Sequence, residues 1–417
     1  MTIVKKLLIL TILHKTNSYC FPYQERWRDW PCETRQPLSM TEWCQILKNS
    51  MFLKMRKRRL VNELFLYIKE ELFYIMGGVS QMKRFLVLAV ALVLLVTGCQ
   101  SKSTKSSGSE EKGKKRIALV LPEKIGVNPF FQQMDDGAKR AGKKYNIDVK
   151  TIESTDQAAI ESNLRAAVAE NYDLIITSSF ESEDALKKVA QENPQRQFAI
   201  IDTVVDLPNV RSVVFREQEA SYLLGAAAGL VTKTNKVGMV AADDIPLLKK
   251  WTVSFKEGLQ STNPKAEFLV NYVGSFSDPA KAKELAILQA SKGADFIAGA
   301  SAVGDLGVFE AAKEKGFYTA GQDIDRTEVD PEHIVLSQLK RSDAAAYETV
   351  EALANDKFKS GVVTYGLKEK GVGLTYVTQD SKTPLNDFVG QDVIDQLKEI
   401  KDSIIDGKTV VKDPLAK

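Results

Sequence analysis

From Arg116 onward, the sequence predicts an α/β protein made of two doubly wound parallel-sheet lobes with a ligand cleft between them. Two observations predict this class: short apolar runs alternate with helical patterns, and the whole alternation then restarts. The βαβα order favours parallel sheets covered by helices on both faces. Open α/β sheets bind ligands beyond the carboxyl ends of their strands, so two facing lobes form a cleft that can close on a small molecule.

The first series of elements is predicted from buried apolar runs and from apolar residues at helical spacing. Its predicted strands are 117–121, 147–152, 174–177, 198–201 and 210–215, and its predicted helices are 130–145, 157–170 and 183–192.

The second series starts with a helix at 218–232, and its other helices are predicted at 247–260, 303–315, 342–355 and 391–405. One more helix is predicted to start at Asp278 and Pro279, because aspartate caps a helix and proline suits its first position. The predicted strands are 236–240, 268–272, 296–299, 317–321 and 334–338, followed by a glycine-rich pair of strands at 361–377.

These elements predict two lobes of typical domain size. We expect the N-terminal lobe to contain 116–215 plus 323–345, and the C-terminal lobe to contain 216–322 plus 346–417.

Residues 82–98 have the design of an export signal. Lys83 and Arg84 form a basic start, and the apolar stretch 85–96 is short for a bilayer span. The stretch ends in Val-Thr-Gly before Cys99, and small residues before a cysteine resemble the bacterial lipobox, where the signal is cut and the thiol is lipidated. Lipidation of this kind adds a diacylglyceryl group, whose two acyl chains give stable anchoring. The sequence therefore predicts a lipid anchor at Cys99 on the extracytoplasmic face of the cell membrane.

The segments on either side of this signal are not predicted to belong to a globular core. Residues 99–115 are the lipidated cysteine and a polar stretch that we interpret as a flexible tether. An export signal should stand at an N-terminus, yet this one begins at Met82. We therefore interpret 1–81 as an upstream region mistaken for coding sequence.

Composition and missing motifs exclude several function classes. The formal net charge of +3 argues against nucleic-acid binding. The chain has two histidines, His14 and His333, and no cysteine after Cys99, so neither a metal site nor a His-based triad is expected in the globular part. No G-x-G-x-x-G, phosphate loop or G-x-S-x-G elbow is present. We expect a binding protein without catalytic residues or a cofactor, and a monomer.

Several stretches in order carry a family resemblance that spans roughly 116–380. They are Phe-Arg-Glu-Gln-Glu-Ala-Ser-Tyr-Leu-Leu-Gly from Phe215, Asn-Lys-Val-Gly-Met-Val from Asn235, Gly-Asp-Leu-Gly-Val-Phe-Glu from Gly304, Gly-Gln-Asp-Ile-Asp from Gly321 and Ser-Gln-Leu-Lys-Arg from Ser337. With these, the chain resembles the basic membrane protein family of bacterial lipoproteins, which includes purine-nucleoside receptors of ABC importers. The resemblance implies a type I periplasmic-binding-protein fold, a nucleoside ligand and an ABC permease as partner.

The resemblance also implies a ligand-binding set. In it, Asp323 holds the ribose hydroxyls, because a carboxylate can accept from two vicinal hydroxyls at once. Phe276 and Phe130 stack on the base from opposite lobes, Asp202 lies near the base, and Lys340 lines the cleft. Gly304 lies where the backbone approaches the ligand.

One loop departs from the family pattern, which usually reads Asp-x-Ser-Phe-Asn. Here Val127 and Phe131 stand where the family has its aspartate and asparagine, and Asn128 is a candidate to replace one of the lost contacts. This departure leaves a second function open, that of a regulatory or signalling lipoprotein related to competence regulators, with a different ligand or none. The fold alone does not separate the two functions.

Overall fold

The computed structural model describes residues 114–416. A compact unit that begins at Glu110 holds all of them. The predictions for the upstream region 1–81, the signal peptide 82–98, Cys99 and the tether as far as residue 113 lie outside the described residues.

Two six-stranded sheets form the framework. The first sheet has the order β11-β5-β4-β3-β1-β2 and the second the order β12-β10-β9-β8-β6-β7. The first contains β1 (Arg116–Leu121), β2 (Asp148–Glu153), β3 (Leu174–Ser178), β4 (Gln197–Ile201), β5 (Val210–Phe215) and β11 (Gly361–Tyr365); the second contains β6 (Lys236–Ala241), β7 (Glu267–Tyr272), β8 (Phe296–Ala300), β9 (Tyr318–Asp323), β10 (Ile334–Lys340) and β12 (Val372–Leu374).

Nine α-helices connect the strands of the described part of the chain. They are α1 (Pro129–Tyr145), α2 (Gln157–Ala169), α3 (Glu183–Glu192), α4 (Glu217–Val231), α5 (Pro246–Thr262), α6 (Pro279–Ser291), α7 (Asp305–Lys315), α8 (Ser342–Ala354) and α9 (Gln391–Ile405). The pairings within each sheet are parallel except that of β12 with β10, which is antiparallel. The predicted class, two doubly wound α/β lobes, is confirmed.

Local sequence explains where the helices begin. Asn128 caps α1 by accepting from the backbone N–H of Phe130 at 3.1 Å. The start predicted at Asp278 and Pro279 is confirmed, because the Asp278 carboxylate accepts from the Lys281 backbone N–H at 3.0 Å and Pro279 is the first residue of α6.

The predicted division of the C-terminal segments between the lobes is wrong. Strand β10 was expected in the N-terminal lobe but pairs with β9 in the second sheet, and β11 was expected in the C-terminal lobe but pairs with β5 in the first. The predicted pair of strands at 361–377 is not a pair either, since β11 and β12 join different sheets. Each of these strands is short, and the sheet it joins is decided by distant partners rather than by its own sequence.

The chain crosses between the lobes in three places. It crosses between β5 and α4, between β10 and α8, and through residues 366–371, which link β11 to β12. Backbone hydrogen bonds tie the crossings together: the Arg216 N–H donates to the Tyr365 carbonyl at 2.9 Å, and the Arg341 N–H donates to the Gly371 carbonyl at 2.8 Å. The crossings therefore form one hinge region.

Helices α4 and α5 approach each other closely at two glycines. A Cβ added to Gly225 would lie 2.0 Å from the Phe255 carbonyl oxygen, and one added to Gly258 would lie 2.0 Å from that of Tyr222. We expect Gly225→Ala to lower the free energy of unfolding by about 1–3 kcal/mol, because overpacking forces the backbone apart. Urea unfolding would measure this loss, with Ser162→Ala on exposed helix surface as control, and equal stability of the two variants would contradict the close approach.

Candidate ligand-binding cleft

A cavity of about 230 Å³ lies between the two sheets, lined by residues from both. Its wall is built from residues at and beyond the carboxyl ends of the strands, where doubly wound sheets bind ligands. The lining residues are Glu123, Asn128, Phe130, Phe131, Ser179, Phe180, Glu181, Asp202, Leu247, Leu248, Trp251, Phe276, Ser277, Ala300, Ala302, Gln322, Asp323 and Lys340.

The structure brings six of the seven predicted site residues to this wall: Asn128, Phe130, Asp202, Phe276, Asp323 and Lys340. Gly304 is the exception, because it lies behind the wall. Its N–H donates to the Phe276 carbonyl at 3.2 Å, and an added Cβ would lie 2.6 Å from the Ser301 hydroxyl oxygen. The structure thus gives Gly304 a contact that positions the Phe276 loop, whereas we had expected its backbone to face the ligand.

Four non-glycine residues at the wall have a left-handed backbone. Asp202 (φ 83°) directly follows β4, and Asp323 (φ 67°) is the last residue of β9. These two strands hold the same position in the order of their sheets. Ser179 (φ 68°) and Ala302 (φ 53°) lie just beyond β3 and β8, another equivalent pair. Such conformations cost of order 1–3 kcal/mol each and cluster at functional sites. Their placement around one cavity therefore supports a ligand-binding role for it.

Aromatic rings from both lobes lie at the cavity. Phe180, in the short 3-10 turn Phe180–Ser182 beyond β3, lies with its ring centroid 6.4 Å from that of Phe276 beyond β7. The predicted partner ring, Phe130, instead lies under the Lys340 ammonium, 4.9 Å from its ring centroid. Phe180 was not predicted, and the sequence offered only its place after a buried strand as a signal.

A buried charge network lies at the hinge side of the cavity. Lys340 Nζ is 2.6 Å from Asp202 Oδ1 and 3.1 Å from Glu217 Oε1, and Lys250 Nζ is 3.1 Å from Glu217 Oε2. Side-chain exposure is 5% for Lys340, 7% for Asp202 and 2% for Glu217. Because Asp202 follows β4 in the first lobe and Lys340 ends β10 in the second, the network joins the lobes.

Burial and mutual charge set the protonation of these groups. Burial raises the pKa of Asp202 to about 7, with the Glu217 charge adding to burial and Lys340 opposing it. Burial also acts on Glu217, but the attraction of Lys340 and Lys250 outweighs it and lowers the pKa of that carboxyl. Burial alone would lower the pKa of Lys340, but the negative charges of Asp202, Glu217 and Asp323 outweigh it and raise that pKa. The ammonium therefore stays charged, and Asp202 is the member of the network that takes up a proton most readily.

Two residues of the cavity lining carry polar atoms without protein partners. Trp251 and Gln322 are 6% and 4% exposed, and within residues 114–416 neither Trp251 Nε1 nor Gln322 Oε1 has a hydrogen-bond partner. Buried polar groups are normally paired, so this donor and this acceptor are available to a ligand. Burial raises the pKa of Asp323 as well. Neither Trp251 nor Gln322 was predicted, since each stands in a stretch that reads as ordinary helix or strand.

The loop that departs from the family pattern, residues 127–131, contributes only some of its residues to the cavity. Phe131 is 4% exposed and lines the cavity, whereas Val127 is 57% exposed and is not among the lining residues. Asn128 lines the cavity, but its Oδ1 caps α1 and its Nδ2 donates to Glu123 Oε1 at 3.1 Å. Asn128 therefore has less hydrogen-bonding capacity left for a ligand than its predicted role would need.

A two-lobed α/β protein with its cavity between the lobes is of the class of periplasmic-binding-protein-like solute-binding proteins. The family model described as ABC transporter substrate-binding protein PnrA-like (Bmp) matches residues 114–413. The chain belongs to this family. The prediction of a binding protein rather than an enzyme is thereby confirmed.

Known proteins of the same kind are similar over most of the chain. The ABC transporter nucleoside-binding protein BmpA of Lactococcus lactis is 28% identical over 351 residues, covering 78% of this chain and 96% of that protein. An uncharacterized lipoprotein of Pyrococcus abyssi is 29% identical over 303 residues, covering 69% and 75%. The crystal structure of an ABC transporter solute-binding protein from Aeropyrum pernix is 27% identical with a TM-score of 0.65, covering 72% and 94%.

None of the helices within residues 114–416 has the length and apolar character needed to cross a bilayer.

Proposed function

We propose that this protein is a lipid-anchored receptor that captures a nucleoside outside the cytoplasm and delivers it to an ABC permease. The observation that carries the proposal is the cavity itself, which places an aromatic pair and a buried carboxylate in one enclosed space. Phe180 and Phe276 offer faces for a base, and stacking a base on an aromatic ring is worth roughly 1–3 kcal/mol in nucleic-acid complexes. Asp323 offers two acceptor oxygens for a ribose diol.

The comparisons support the same ligand class. The family comprises substrate-binding proteins of ABC transporters, and the Lactococcus lactis relative is named a nucleoside-binding protein. Anchoring at Cys99 is supported by the lipobox-like sequence and by a relative that is named a lipoprotein. Stacking and the Asp323 contact would stabilise the closed form, since a ligand shifts the lobes only by binding the closed state better.

The charges of the wall favour an uncharged nucleoside over a nucleotide. Glu123, Glu181, Asp202 and Asp323 line the cavity, whereas Lys340 is the one lysine or arginine among its lining residues, and Lys340 is already paired. A phosphate would therefore lie near like charges without a free cation to bind it.

A thermal-shift screen of residues 100–417 tests the proposal. We expect ribonucleosides to raise the melting temperature by mass action, and free bases, sugars and nucleoside monophosphates to raise it less. Calorimetry would then give the affinity. A flat response to every nucleoside would contradict the proposal and leave the regulatory function, with another ligand or none, as the better reading.

A further inference from the structure

One carboxylate at the cavity has no role in the contacts described so far. Glu181 lies in the 3-10 turn beyond β3 and lines the cavity, and its Oε2 is buried without a hydrogen-bond partner among the described residues. Gln157 Nε2 donates to the main-chain carbonyl of Glu181 rather than to this oxygen. A buried carboxylate oxygen without a donor is costly, so this one is suited to a ligand that brings donors.

The position of Glu181 in the turn that carries Phe180 places it at the aromatic end of the cavity. Burial is the largest cause that raises the pKa of Glu181; a hydrogen bond from its own backbone N–H opposes it, and the negative charge of Glu123 adds to it. Asp323 instead lies at the hinge side, because it pairs in the sheet with Leu339, the residue before Lys340. Glu181 also directly follows Phe180, whose ring neighbours Phe276. A nucleoside with its ribose on Asp323 and its base at these rings would present the edge of the base to Glu181.

The chemistry of a carboxylate limits which base edge suits it. An ionised carboxylate only accepts hydrogen bonds, and its two oxygens match two N–H donors side by side. Guanine offers such a pair in its N1–H and its exocyclic amine. Adenine places a ring acceptor beside its amine, hypoxanthine has the N1–H without the amine, and cytosine has an amine beside a ring acceptor.

We propose that Glu181 determines base specificity and makes guanosine the preferred nucleoside. This inference rests on the proposed nucleoside-receptor function and goes beyond it by naming the base and the side chain that selects it. Trp251 and Gln322 line the same cavity and each has an unpaired polar atom, so they are candidates to bind the remaining polar atoms of the ligand.

Calorimetric titration of guanosine, inosine and adenosine into residues 100–417 tests the proposal. We expect guanosine to bind at least ~10-fold more tightly than inosine, because it adds a hydrogen bond to a charged acceptor. In Glu181→Gln, which keeps the shape of the side chain, this ratio should fall to about 1–3, while inosine affinity changes less than about threefold. Asp184→Asn, a like change at an exposed residue outside the cavity lining, should keep the wild-type ratio.

The outcomes separate the two proposals. Nucleoside binding without a guanosine preference in the wild type, or a preference that survives Glu181→Gln, would overturn the role of Glu181 and leave the receptor function standing. Failure of all three nucleosides to bind a folded wild type would overturn the receptor function and this inference together. Melting curves of each variant establish that it is folded before its titration is interpreted.

Discussion

Asp323→Ala is expected to weaken ribonucleoside binding by about 100-fold or more. Two hydrogen bonds to a charged acceptor are lost at once, and each contributes about 1.5–3 kcal/mol. The fold should remain intact for two reasons. Burial of the Asp323 carboxylate is itself unfavourable, as its raised pKa shows, and the nearby Lys340 keeps its ion pair with Asp202 when Asp323 is removed. Calorimetry with guanosine would measure the affinity, and a thermal melt would measure the stability.

A nearby substitution and a modified ligand serve as controls for Asp323. Glu328→Ala removes an acidic charge five residues away on exposed surface, and should bind as the wild type does. A 2′-deoxyribonucleoside should lose affinity for the wild type but little further for Asp323→Ala, because the missing hydroxyl and the missing carboxylate belong to one contact. Wild-type affinity in Asp323→Ala would show that the ribose is not held there.

Lys340→Met is expected to lower the free energy of unfolding by about 3–5 kcal/mol, since removing one partner of a buried ion pair leaves uncompensated charge. Here Lys340 holds two carboxylates, at 2.6 Å in Asp202 and 3.1 Å in Glu217. Urea unfolding would measure the loss. Lys249→Met is the matched control, because that lysine pairs with Asp244 in an exposed position and surface pairs contribute about 0–1 kcal/mol.

The loss in Lys340→Met should also depend on pH. Without the ammonium, the pKa values of Asp202 and Glu217 rise in the folded variant, which therefore binds more protons than the unfolded chain. Stability conferred by a raised carboxyl pKa is present at low pH and is lost as the pH rises through the folded pKa. The deficit relative to the wild type should be smaller at pH 5 than at pH 8. A deficit of equal size at both pH values would contradict the role assigned to the network.

Regular elements were predictable because their signals are local. Burial on both faces of a parallel sheet produces the continuous apolar runs of β1, β3 and β4, and the Asp278 cap with Pro279 marks a helix start within two residues. The lobe to which a strand belongs could not be predicted in this way, because it depends on partners far away in the sequence. Strand β10 is buried throughout and could join either sheet as far as its own sequence shows, and only its pairing with β9 decides.

The same distinction holds for the cavity. Asp202 and Asp323 were predicted from the family resemblance, and each also stands at the end of an apolar strand, where ligands bind. Glu181 stands in the polar run Ser-Ser-Phe-Glu-Ser-Glu-Asp, where nothing in the sequence separates it from Glu183 two residues later. The pairing of Lys340 with Asp202 joins residues 138 positions apart and follows only from how the two lobes meet.

The late position of the last hinge crossing bears on how the chain is made. Residues 366–371 join β11, an edge strand of the first sheet, to β12, an edge strand of the second. During synthesis from the N-terminus, neither lobe can complete its sheet until this stretch has left the ribosome. A chain that stops near residue 360 would leave the edges of β5 and β10 unpaired in both lobes, and unpaired edges promote aggregation. Both lobes can therefore complete their sheets only after the last 60 or so residues, about a seventh of the chain, have been released from the ribosome.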